Sequence, residues 1–122
     1  MMNAIDMSVF ARSAGTNVTF PAGATIFRQD DLPDNMYVVQ SGTIEMIING
    51  KVVDLCGPKE AFGFLSVIDG EPRTATARAR EASEVSVIDP QRFRFMVSEI
   101  PHFAEYIMSA MAHRIRGMKE AI

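Results

Sequence analysis

Arg73 stands directly after Pro72 and before the small residues Thr74, Ala75 and Thr76, a grouping suited to holding a small anion. Upstream of it, Gly63 opens a short apolar run, Phe64 to Ile68, that ends in the turn residues Asp69-Gly70-Glu71-Pro72. The first N–H groups of a short helix have no partner within the helix, so a phosphate placed there gains hydrogen bonds and a favourable helix-end field. Arg73 adds a planar, permanently charged fork. The small residues after it let the backbone itself approach a ligand.

The elements that position this stretch must come from one domain. A chain of 122 residues, 48% of them hydrophobic, has room for one core and none for a second. Its net charge is −3 with the basic residues dispersed, so it lacks the electrostatic footprint of a dedicated nucleic-acid surface. A single pocket for a small anion needs no such footprint. Cys56 is the sole cysteine, which rules out an internal disulfide and points to a reducing, cytoplasmic setting, with the thiol read as a small buried hydrophobe. The stretch from Met1 to Phe10 lacks the pattern of a signal peptide, and no apolar run has the length of a membrane span.

Along the chain, the pattern Ile5 to Ala14 predicts a short amphipathic helix with Asp6 as its cap and Gly15 as its stop. From Val18 the texture is that of short strands divided by turns: Val18 to Phe20, Thr25 to Phe27, then Met36 to Gln40 after a polar loop. Ile44, Met46 and Ile48 alternate with Glu45 and Ile47, and Asn49-Gly50 predicts a hairpin into Lys51 to Leu55. In Thr76 to Arg80, alternation puts Ala77 and Ala79 inside and Arg78 and Arg80 on the solvent side. Glu84 to Ile88 is the final strand. Asp89 and Pro90 then cap and open a helix carrying Phe93, Met96 and Val97. Pro101 is expected to start a last helix of about five turns, whose stripe includes Phe103, Ile107, Ala110, Met111, Arg114, Ile115 and Met118. Such a set of short strands with flanking helices predicts a mainly β fold of the β-roll or barrel kind.

In this order the residues resemble the cyclic nucleotide-binding domain family, the sensor module of catabolite-activator regulators, kinase regulatory subunits and nucleotide-gated channels. Phe20 to Phe27 is similar to the family's opening strands, Asp34 to Gly42 to its central strand and glycine turn, and Phe62 to Thr76 to its phosphate-binding cassette. The resemblance runs from about Val18 to Met118. It implies a double-stranded β-helix of jelly-roll type over 18–88, containing the cassette at 62–77, after an N-terminal helix region at 1–17 and before two lid helices at 89–122. By the family pattern Arg73 binds the charged oxygens of the cyclic phosphate, Thr74 and Ala75 assist through the backbone, and Gly63 and Phe64 lie on the ribose side. Tyr106, Ile107, Ala110, Met111 and Arg114 are the residues of the last helix available to cover the base. The ligand implied is cAMP or cGMP, with no metal.

One departure bears on affinity. Where the family pattern reads Phe-Gly-Glu, this chain has Phe62-Gly63-Phe64, so the carboxylate that accepts from the ribose 2′-hydroxyl is missing. Loss of a charged hydrogen bond lowers affinity about tenfold to a hundredfold. A milder departure is Asp30, where the family favours glycine; Asp tolerates left-handed backbone better than most residues. Three functions are compatible with the chain. The first is a stand-alone, non-enzymatic sensor that binds a cyclic nucleotide and relays a lid-helix change to an effector protein. The second is a ligand-free or other-anion-binding domain acting as a protein-interaction module. The third, a metal enzyme of the cupin kind, is poorly served by His102 and His113, both of which fall in the terminal helices. The activator-type regulators carry a helix-turn-helix after the long helix and none is read here, so no direct nucleic-acid or membrane contact is expected. The last helix leaves a homodimer open.

Overall fold

The first helix begins where a carboxylate can cap it. In a computed structural model, which describes the backbone of residues 6–121 and the side chains of residues 6–117, α1 (Met7–Ala14) opens on Asp6, whose Oδ1 accepts from the Ser8 N–H at 3.0 Å and the Ser8 hydroxyl at 2.6 Å. Those bonds, the hydroxyl's foremost, hold the Asp6 carboxyl below its ordinary value. Gly15 ends the helix by donating to Ala11 O. Ile5, the apolar residue expected to lead this helix, lies outside the described residues, as does the side chain of Met118.

Two four-stranded antiparallel sheets follow and form the β-roll. The first has the order β1 (Thr16–Phe20), β8 (Ser83–Ile88), β3 (Met36–Ser41), β6 (Ala61–Phe62). The second runs β2 (Thr25–Phe27), β7 (Thr76–Ala79), β4 (Ile44–Ile48), β5 (Lys51–Cys56). The β4–β5 hairpin turns on Asn49 and Gly50, at φ 51° and 80°, with Ile48 opposite Lys51. Both central residues are left-handed, which is why the pair Asn-Gly signals this turn.

Strand β3 explains how the two cores are separated. Its residues alternate between layers, so that Met36 and Val38 join the apolar cluster under the helices while Tyr37 and Val39 join the one between the sheets. Four consecutive buried residues are therefore a strand covered on both faces. In β4 the expected alternation fails after Met46, because the register against β5 shifts between Met46 and Ile47 and both side chains are buried. In β7, Ala77 and Ala79 are buried and Arg78 is exposed, its guanidinium paired with Glu45 at 2.9 Å.

Helix α2 (Phe64–Asp69) crosses from β6 toward β7, and the two terminal helices are α3 (Pro90–Glu99) and α4 (Phe103–Ala121). Asp89 caps α3 by accepting from the Arg92 N–H at 2.7 Å, with Pro90 in the first turn. The last helix starts at Phe103, two residues after the expected Pro101. The reason is His102, whose φ of 69° is left-handed and cannot belong to a right-handed helix. Phe103 and Ile107 bury the inner face of α4 beside Phe93, Met96 and Phe64. No helix among the described residues is long and apolar enough to cross a membrane.

Candidate functional site

Arg73 is carried by the loop between α2 and β7, and its backbone is clamped on both sides. Its N–H donates to Asp31 O at 2.9 Å, and its carbonyl accepts from the Asp30 N–H at 2.8 Å. Asp30 itself has φ 73°, the left-handed conformation that this position requires. Gly70 ends α2 by donating to Ser66 O at 2.8 Å, and the chain turns there toward Pro72 and Arg73.

The Arg73 side chain points inward and is only 2% exposed. Nη1 donates to Gly63 O at 2.6 Å; Nη2 donates to Asp34 Oδ1 at 2.8 Å and to Asn35 O. The guanidinium carbon lies 4.0 Å from the centroid of the Phe27 ring. A charge buried this deeply persists only when paired and hydrogen-bonded, and these four neighbours meet that need. Nε, however, is buried and finds no partner among the described residues. Gly63 is fixed by the same packing. At φ 75° it is left-handed, and a Cβ there would stand 2.9 Å from Arg73 Nη1 and 3.2 Å from the Phe27 ring.

Beside Arg73 lies a cavity of about 10 Å³, whose walls include Phe27, Gly63, Thr74, Ala75 and Arg114. Two arginines and no carboxylate face it among the described residues. A space of this size holds no more than a water molecule, whereas ligand pockets run to about 300 Å³ or more. Arg114, carried by α4, forms part of the cavity's wall. A larger groove of about 220 Å³ lies alongside, between β5 with its following loop and α4, and Arg114 lines this one too.

The residues singled out in the sequence are thus distributed unevenly. Arg73, Thr74, Ala75 and Gly63 meet at the small cavity. The Phe64 ring does not; it is 1% exposed and sits in the apolar cluster under the helices with Met36, Val38, Phe103 and Ile107. Of the α4 residues, only Arg114 reaches the small cavity. Ile107 faces the apolar cluster, with Met111 packed at its edge, while Tyr106 and Ala110 line the groove. The Tyr106 hydroxyl donates to Lys59 O at 2.6 Å, and burial pushes it above its ordinary value, making it a weaker acid. Cys56, at the groove floor, is buried, and desolvation pushes its thiol up to about 12.

Asp34 and Phe27 were not assigned to the site from sequence, although they hold Arg73 in place. Asp34 is separated from Arg73 by four of the roll's eight strands and by 39 residues. Pairing across that distance carries no local signal.

Fold and cassette together define a class of protein, a β-roll with a buried arginine beside a small cavity that no carboxylate lines among the described residues. The cyclic nucleotide-binding domain family matches residues 17–99, and the chain belongs to that family. It is 28% identical over 104 residues to the CRP-like cAMP-activated global transcriptional regulator of Mycobacterium tuberculosis, covering 81% of this chain and 46% of that one. It is 30% identical over 102 residues to the cyclic AMP receptor protein of Thermus thermophilus, covering 80% of this chain and 47% of the relative. The crystal structure of the Thermus thermophilus catabolite activator protein superposes with a TM-score of 0.81 at 28% identity, over 96% of this chain and 58% of that one. The chain thus spans about half the length of the curated relatives it matches. The first of these relatives is a transcriptional regulator by name.

Proposed function

We propose that this chain is a non-enzymatic, cytoplasmic sensor domain that binds a cyclic nucleotide monophosphate, cAMP or cGMP, and relays a movement of α4 to an effector protein. The observation that carries the reading is the Arg73 guanidinium, buried beside an acid-free cavity with one N–H donor unused. A cyclic phosphate supplies the acceptor that this donor lacks, and the backbone at Thr74 and Ala75 can approach it because both cavity-facing residues are small. Gly63 stands on the ribose side with Phe64 behind it. Tyr106, Ile107, Ala110, Met111 and Arg114 belong to the helix that covers the base.

Binding shifts the population toward a state in which α4 has left its present contacts, since the cavity as it stands is too small for a nucleotide. Cyclic AMP, for which both curated relatives are named, supports the choice of ligand class.

A second reading has its own support. The cavity is too small for a nucleotide, and position 64 offers no carboxylate to a ribose. A domain of this fold that binds no nucleotide would present the α4 surface to a partner protein in one fixed state. Isothermal titration with cAMP and cGMP separates the two. The sensor reading expects saturable binding, weakened about tenfold or more by Arg73→Lys, which keeps the charge but loses the fork. At a hundredfold excess over Kd, ligand should add about 2.7 kcal/mol of stability. Absence of both heat and stabilisation at millimolar nucleotide would leave the interaction module standing.

A further inference from the structure

We infer that Arg114 adapts this site to a nucleotide carrying two phosphate groups, in preference to a cyclic mononucleotide; the inference rests on the cassette reading above. Arg114 is a cation with little to hold. Its side chain is 23% exposed, so most of it is out of water, yet its two polar contacts are long: Nε to Asp54 Oδ2 at 3.9 Å and Nη2 to Cys56 Sγ at 3.9 Å. Its third neighbour is the Phe64 ring, 5.4 Å from the guanidinium carbon, which attracts the charge but accepts none of its in-plane N–H groups.

The small cavity therefore has guanidinium groups on two walls, from the cassette and from α4: Arg73 Nε has no partner among the described residues, and Arg114 has only its two long contacts. A cyclic mononucleotide brings one negative charge, which Arg73 answers. That leaves Arg114 beside a ribose hydroxyl with no carboxylate at position 64 to receive it. A second phosphate on that side reverses both mismatches, accepting a forked pair of N–H bonds from Arg114 and balancing its charge. Space for the larger ligand lies next door. Arg114 is a common wall of the cavity and of the groove of about 220 Å³, so a turn of this one side chain joins the two. The groove's own charges are mixed, with Lys59 and His113 set against Asp54 and Glu60. The second phosphate is thus placed at Arg114 and no deeper into the groove.

Two kinds of molecule meet this chemistry, a cyclic dinucleotide and a linear nucleoside bisphosphate. The test is isothermal titration of the intact chain with cyclic di-GMP, cyclic di-AMP, adenosine bisphosphate, cAMP and cGMP. One of the first three should bind about tenfold or more tighter than either mononucleotide. Which one does so distinguishes the cyclic from the linear source. Arg114→Gln should remove that margin, and Arg114→Lys should restore part of it. Mononucleotides binding as tightly as every two-phosphate ligand, or Arg114→Gln weakening all ligands alike, overturns the inference and leaves the cassette reading intact. No binding by any of them refutes the cassette reading, and this inference with it.

Discussion

Replacing Phe64 by glutamate distinguishes two accounts of this protein. By family resemblance the substitution restores the carboxylate that accepts from the ribose, and it should strengthen nucleotide binding. The structure gives a different expectation, because the Phe64 ring is 1% exposed in the cluster formed with Met36, Val38, Phe103 and Ile107. Truncating a buried phenylalanine costs about 3–5 kcal/mol, and a glutamate at this place adds the desolvation of a charge. Arg114, 5.4 Å from the ring, offsets part of that by pairing with the new carboxylate. Against a total stability of roughly 5–15 kcal/mol for such a domain, the loss is severe. At about 3–5 °C for each kcal/mol at this chain length, the melting temperature should fall by about 10–20 °C. Thermal and urea unfolding of Phe64→Glu, with Phe64→Leu as a mild control, measures it directly. A Phe64→Glu protein that melts like wild type and binds cAMP more tightly would refute the core placement of this ring and return Phe64 to the ribose.

Further predictions follow from the packing around Arg73 and Cys56. Asp34→Asn frees Arg73 Nη2 from its carboxylate; it should destabilise the domain by about 1–3 kcal/mol in urea titrations while tightening binding of anionic ligands, and unchanged stability would show that the 2.8 Å ion pair contributes nothing. Cys56 should resist iodoacetamide at pH 8.5 in the folded protein and react about a hundredfold faster in urea, since burial keeps its thiol protonated up to about 12. The sign for stability is fixed by the same shift. Above the ordinary value of 9.0 the unfolded chain loses a proton that the folded chain keeps, so this thiol's contribution to stability falls as pH rises from 9 toward about 12 and is constant below 9. Cys56→Ala should flatten that alkaline slope, and an unchanged slope would assign it to other groups.

Where the physics is local, the sequence carried it: the Asp6 and Asp89 caps, the Asn49-Gly50 hairpin, the alternation of Ala77 and Ala79 and the burial of Cys56 all needed only near neighbours to interpret. The bulge between Met46 and Ile47 was hidden because a register shift moves a side chain inward without changing the residue types. The left-handed His102 that delays α4 was hidden for a similar reason, since Pro101 alone is a fair helix start. At the site, Arg73 and its small followers stood out by type and spacing. What could not be read was the direction of side chains across the fold. Phe64 faces the helices while Gly63 beside it faces the cavity, and Arg73 is held by Asp34 from another strand's approach. A two-sided strand such as β3 shows why: when both faces are buried, residue type no longer tells which core a side chain enters.

Arg73 is proposed to hold the phosphate of a bound nucleotide, and its Nε, without a partner among the described residues, is the most direct reporter. Nitrogen-15 NMR of the Arg73 Nε–H during titration with cAMP, cGMP and a two-phosphate nucleotide follows that donor atom by atom. A phosphate held by Arg73 should give a saturable shift of this resonance, with slowed exchange of its proton as the phosphate accepts from it. A resonance that stays in place at saturating ligand, while other signals move, would contradict the claim.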